Sequence, residues 1–278
     1  MRPRAVARSA SRIYIPAASP SQSAVRAACY ILGMGPSNLV LDIETVPDPD
    51  LYTPPDTRMG EERPFPPLYV HKPIVIGCLL FDDRYRLVKF GDFGAEGSDE
   101  RAMLEKFAGY VGRKRVHIVT FNGRGFDLPV IALRCLRHGI SLPWYYQPRS
   151  DYRYRYSDEG HLDLCDFLTE HGAAARAGLS LDAAARVIGL PGKTGIDGSQ
   201  VEGLYHAGQL QQIRDYCLHD VVQTAFLLLR FRLLQGHLDR AHYREVAGAL
   251  LAAIEKDGRF AQMLALCDRA RLLLTQAG

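Results

Sequence analysis

The chain has 278 residues, 47% of them hydrophobic and 23% charged, which fits one large soluble domain or a domain with appendages. No apolar run reaches the roughly 18–20 residues that span a bilayer. The six cysteines are scattered, with no Cys-x-x-Cys pair and no histidine pair at zinc spacing, so reduced thiols in an intracellular compartment are the simplest account.

The formal charge of +3 hides an asymmetry. Residues 1–38 carry Arg2, Arg4, Arg8, Arg12 and Arg26 and no acid, so the rest of the chain is slightly acidic. This Ser- and Ala-rich tail lacks the apolar core of a secretory signal. It reads as a transit peptide, a basic arm, or an extension upstream of an internal start at Met34. Disorder over 1–37 is the expectation. The location is then cytoplasmic, or an organelle matrix if the tail is a true transit peptide.

The first ordered element is Leu39-Val40-Leu41-Asp42-Ile43-Glu44-Thr45, a strand whose two acids lie two residues apart and share one face. Two neighbouring carboxylates on an apolar strand repel and cost desolvation energy, which a divalent cation would relieve and solvent could also relieve. Residues 45–73 hold eight of the sixteen prolines and read as an irregular loop leaving that strand, placed to wall any site there. Ile74 to Phe81 is a buried strand and Tyr85 to Phe90 a third strand, closing a meander. Residues 98–111 have helical spacing at Met103, Leu104, Phe107 and Val111. Val116 to Phe121 is a strand and Leu128 to Leu136 a helix. His161 to Leu164 is a short strand, and Leu179 to Ile188 a helix with Ser180 as N-cap. A Gly-rich loop over 192–200 contains Lys193. A long helix runs from about Gly208 to Leu234, and two more follow near 239–255 and 258–275. The pattern predicts an α/β sheet flanked by helices, with the acidic strand central, spanning 38–236, and a helical extension over 237–278.

Two further acids sit at telling places. Asp127 stands where a strand, a Gly-flanked loop and a helix meet, in Asn122-Gly123-Arg124-Gly125-Phe126-Asp127, a position that suits a helix cap and a ligand alike. Asp220 lies inside the long helix, four residues after Tyr216 and on the same face. A Tyr–Asp hydrogen bond would satisfy that pair without any ligand.

Asp-x-Glu, Asn-x-x-x-Phe-Asp and Tyr-x-x-x-Asp occur here in that order. The set resembles the DnaQ-like, or DEDD, 3′–5′ exonuclease superfamily with its ribonuclease H-like fold, and is most similar to stand-alone relatives of the proofreading domain of family B DNA polymerases. The resemblance extends to His161-Leu162-Asp163-Leu164 and to Leu179 through Lys193. Position 215 is Asp and 216 is Tyr, so the chain resembles the tyrosine subclass rather than the one with His five residues before the Asp. The resemblance implies that Asp42, Glu44, Asp127 and Asp220 hold two Mg²⁺ or Mn²⁺ ions. It also implies that Tyr216 orients the attacking water and that single-stranded nucleic acid is degraded from the 3′ end to nucleoside 5′-monophosphates. DNA rather than RNA follows only from the polymerase likeness.

Asn122, Phe126, Lys193 and two arginines, Arg153 and Arg155, are candidate substrate contacts; Asn122 reads equally as a turn residue and Lys193 equally as a solvated loop lysine. The arginines alternate with Tyr152, Tyr154 and Tyr156 as if on an extended strand, with arginines on one face and tyrosines on the other. A hairpin packing its tyrosines on the domain is the competing account. Asp163 supports the ligands or simply ends a strand. Two readings of another class stay open. One is a catalytically silent nucleic-acid-binding module; the other is an interaction subunit whose C-terminal helices dock a polymerase or helicase.

Overall fold

Burial on both faces makes the first apolar run the middle of a sheet. The computed structural model describes residues 36–55, 64–94, 99–174, 178–193, 195 and 198–275. β1 (Asn38–Pro47), β2 (His71–Phe81) and β3 (Leu87–Asp92) form an antiparallel meander. α1 (Glu100–Lys114) leads to β4 (His117–Thr120), parallel to β1. After α2 (Asp127–His138) and the short α3 (Pro143–Tyr146), β5 (His161–Asp163) adds parallel to β4. The order β3-β2-β1-β4-β5 makes a mixed sheet with the acidic strand at its centre, as the pattern predicts, and is the ribonuclease H-like arrangement that the resemblance implies. The helices α4 (Leu164–Leu168), α5 (Leu181–Val187), α6 (Val201–His206), α7 (Leu210–Leu234), α8 (Arg240–Glu255), α9 (Ala261–Ala265) and α10 (Arg269–Leu272) complete the chain.

Strand parity divides the core. Leu39, Leu41 and Ile43 join Leu104 and Phe107 of α1 and Leu128 and Ile131 of α2 on one face. Val40, with Leu79, Val119 and Leu162, packs against Leu218, Val221, Val222 and Phe226 of α7 on the other. Asp42 and Glu44 share the parity of Val40, so they point toward α7. The helix approaches closely there because Gly77, paired with Asp42 across β1 and β2, has no side chain. A Cβ at Gly77 would lie 2.6 Å from Cys217 Sγ.

The helices start where their caps say. Ser180 accepts from Ala183 N at 3.1 Å, as expected, and Asp99 and Asp239 cap α1 and α8 in the same way. Three expectations change. The third strand begins at Leu87 rather than Tyr85, because Tyr85 takes φ 60° in the preceding turn. The helix expected over 258–275 is broken into a 3-10 turn, α9 and α10, with Asp257 and Asp268 each capping a new start. Residues 152–156 form turns rather than an extended strand: Tyr152 is buried and donates to Val116 O at 2.8 Å, while Tyr154 and Tyr156 are exposed. Tyr243, Leu250, Ile254, Phe260 and Leu272, all beyond residue 236, share the apolar core with α7. The tail over 1–35, part of the proline-rich loop (56–63) and part of the Gly-rich loop (194, 196 and 197) lie outside the described residues. Among the described residues, no helix is long and apolar enough to cross a membrane, and five cysteines are free thiols.

Candidate active site

Three elements deliver the four acids. β1 presents Asp42 and Glu44, just where the apolar face of the strand ends. α2 begins at Asp127, which does not cap it: the cap position is Phe126, with no side-chain hydrogen bond. The Asp127 carboxyl is tied instead by a hydrogen bond from the backbone N–H of Ile43, between the two β1 acids. α7 brings Asp220, which accepts from the Tyr216 hydroxyl one turn earlier and from Gln223 Nε2 at 3.3 Å. The Cys217 thiol, on the same helix, donates to Asp42 Oδ2 and to the Asp42 carbonyl, each at 3.5 Å. Asp42, Glu44 and Cys217 offer donor atoms within 4.8 Å of one another.

The electrostatics follow from that crowding. Burial, then the charges of Asp127, Glu44 and Asp220, push Asp42 well above the usual carboxylate range. Burial, then Asp220 and Asp127, raise Glu44, with Lys193 opposing. Burial raises Asp127 to about 7 and Asp220 to about 6. Burial beside Asp220, Glu44 and Asp42 also pushes the Tyr216 phenol up, so it remains a proton donor. Four buried carboxyls are a hard-oxygen donor set that fits Mg²⁺ or Mn²⁺, and divalent charge would offset their burial and the repulsion that raises Asp42 and Glu44.

Asp42, Glu44 and Asp127 open into a cleft of about 1120 Å³. Asn122, Phe126 and Lys193 line it beside Asp42, Glu44 and Asp127, together with Tyr52, Pro64, Phe65 and Pro66 of the proline-rich loop. Arg153 and Arg155 do not line it. Arg155 binds Asp166 at 2.8 and 3.1 Å and the His171 carbonyl at 3.2 Å, while Arg153 lies over the Tyr146 ring at 5.0 Å. Asp163 is buried behind the site. Its carboxylate accepts from the backbone N–H groups of Asn122 (2.8 Å), Arg124 (2.9 Å), Cys165 (3.0 Å) and Asp166 (3.3 Å). It thereby caps α4 and fixes the β4–α2 loop that carries Asp127.

Sequence reasoning missed two features of the site. Cys217 has no local signal, since a cysteine on an apolar helix face looks like core. Phe65 and His71 had one, an aromatic ring set among Pro64, Pro66 and Pro67. Phe65 stacks on His71 with centroids 4.9 Å apart, and Phe126 stands edge-on to His71 at 4.9 Å.

A mixed sheet with carboxyls drawn together from β1, α2 and α7 defines an α/β protein with a buried acidic centre. A family model described as a predicted 3′-5′ exonuclease related to the exonuclease domain of PolB matches residues 63–266, and the chain belongs to that family. The matched span contains Asp127, Tyr216 and Asp220 and begins after β1, so Asp42 and Glu44 lie outside it. No curated protein matches the chain. Matching solved structures include the family B DNA polymerase from the hyperthermophilic archaeon Pyrobaculum calidifontis. That match has 20% identity and a TM-score of 0.49, over 80% of this chain and 29% of the polymerase chain.

Proposed function

We propose that the chain degrades single-stranded nucleic acid, DNA in the first instance, from its 3′ end to nucleoside 5′-monophosphates. The observation that carries this is the meeting of Asp42, Glu44 and Asp127 at one cleft, with Asp220 close enough for its charge to act on Asp42 and Glu44 and with the Tyr216 hydroxyl held on Asp220. Asp42, Glu44, Asp127 and Asp220 would be the residues that hold the two cations. When bound, Mg²⁺ or Mn²⁺ would supply charge relief to the attacking and departing oxygens. Tyr216 stays protonated and therefore orients a water rather than deprotonating it. Lys193, whose charge reaches Glu44 and Asp220, would meet a phosphate. Asn122 and Phe126, on the cleft wall before Asp127, would hold the terminal nucleotide.

The test is a 5′-labelled strand, as DNA and as RNA, incubated with Mg²⁺, with Mn²⁺ and with chelator. A descending ladder that needs metal, with a closed circular single strand left intact, is the expected result. Hydrolysis undiminished by excess chelator would overturn the metal-dependent mechanism, and rapid cutting of the circle would overturn the exonuclease polarity. Two variants separate the roles. Tyr216→Phe keeps the ring and should keep Mn²⁺ affinity while slowing single-turnover cleavage ~10–1,000-fold. Asp220→Asn should weaken Mn²⁺ binding as well as turnover.

A further inference from the structure

The cleft has two chemically different ends. One carries Asp42, Glu44 and Asp127; the other is aromatic and proline-rich. Phe65 is the centre of the second end and is 75% exposed. A lone exposed phenylalanine is ordinary on a protein surface, but this one is built into a stack. One face of its ring lies nearly parallel on His71, with an interplanar angle of 27°. Phe126 closes the cluster, 5.9 Å from Phe65 and edge-on to His71.

The support under Phe65 is fixed. His71 Nε2 lies 3.1 Å from the Pro66 carbonyl, which only accepts, so Nε2 carries the hydrogen; Nδ1 then accepts from the Thr45 hydroxyl at 2.9 Å. Those two bonds lock the imidazole plane and tie the Pro64–Pro67 segment to β1, one residue past Glu44. Three prolines around Phe65 restrict the backbone that carries it. A rigid, half-open aromatic stack loses little entropy when a flat ring is laid on it. Pro64, Phe65, Pro66, His71 and Phe126 line the same cleft as Asp42, Glu44 and Asp127.

We propose that Phe65, backed by His71, is a stacking platform for an unpaired nucleobase of the strand whose backbone lies over the acids. Every base has a π-face, so the platform binds without reading sequence. A base inside a duplex is already stacked and paired, so the platform favours a frayed or single-stranded end. It rests on the exonuclease function proposed above, of which it defines a subsite.

The experiment is an anisotropy titration of a 5′-labelled DNA 12-mer, protected at its 3′ end by phosphorothioate linkages, with the full chain in Mg²⁺. Wild type, Phe65→Ala and Phe65→Trp are compared. Matching strands carry a single abasic nucleotide at each of the last four positions in turn. Phe65→Ala should weaken binding about 5- to 100-fold, the loss of one stacked base, while Phe65→Trp should bind at least as tightly as wild type. One abasic position should weaken wild type by a similar factor and leave Phe65→Ala unaffected. The platform is overturned if Phe65→Ala binds like wild type, or if every abasic strand weakens both proteins equally. Failure of the exonuclease function would show separately, as unprotected strands left intact by wild type, with the binding result still standing.

Discussion

A close fit beside the acids joins three residues: Asp42, Gly77 opposite it on β2, and Cys217 on α7. The thiol fills the space a Cβ would take and donates to the Asp42 carboxyl. Gly77→Ala introduces an atom 2.6 Å from Cys217 Sγ and 3.2 Å from Val221 Cγ2, too close for either to remain in place. The backbone of Gly77 is not left-handed, so the cost comes from overpacking and not from conformation. It should be about 1–3 kcal/mol in urea unfolding. The displaced part is α7, which carries Tyr216 and Asp220, so Mn²⁺ affinity should fall in step. Cys217→Ala removes the struck sulfur. The double variant should therefore recover most of the stability that Gly77→Ala loses, a coupling visible in a double-mutant cycle. Additive losses would mean that the sulfur is not what fixes the distance between β1 and α7.

Among the elements, those that set the site were legible to different degrees, for a physical reason. The acidic strand, the Asp127 junction and the Tyr216–Asp220 helix were readable because each is a local pattern: period two, a strand–loop–helix switch, and a four-residue helical spacing. The Tyr152–Tyr156 alternation looked equally local and misled. It lies in turns whose course is set by contacts distant in sequence, the Tyr152 hydroxyl on Val116 O and Arg155 on Asp166. Asp163 was legible as a supporting acid or a strand end, but the groups it holds were not, since two of its four donors, Asn122 and Arg124, come from the far side of α2 and α3. Its function at the element scale is to join β5 and α4 to the loop that starts α2. Asp163→Ala strands buried N–H groups and should cost about 2–3 kcal/mol in unfolding. By loosening Asp127 it should also slow cleavage on the order of 10–100-fold. Asp127→Asn should slow cleavage too, yet without metal it should stabilise the fold because it removes a buried, repelled carboxyl. Opposite signs in stability, measured by thermal unfolding in chelator, separate the positioning acid from the ligand.

At the scale of the whole molecule, the acids make stability depend on pH and metal together. A carboxyl raised in the folded state binds protons that the unfolded chain has already lost. Its stabilising protonation is complete below about 3.8, the unfolded value, and is lost as pH rises through the folded value, about 7 for Asp127 and about 6 for Asp220. Metal-free protein should thus weaken between pH 5 and 8. Histidines oppose this trend: burial lowers His161, His71 and His237, so each loses stability as pH falls below about 6.5. A raw melting curve mixes the two, and the difference between wild type and Asp127→Asn cancels the histidines. In chelator the variant's advantage in Tm should be smallest at pH 5 and grow toward pH 8, as the wild-type carboxyl is forced to ionise. With saturating Mn²⁺ the order should reverse at pH 8, because the wild type gains RT ln(1 + [Mn²⁺]/Kd) and the variant, lacking one charged oxygen, gains less. A difference that stays flat with pH in chelator would mean that Asp127 ionises freely in the folded chain and is not part of a crowded acidic centre. A difference that Mn²⁺ leaves unchanged would mean that the crowding is real but does not serve to bind metal.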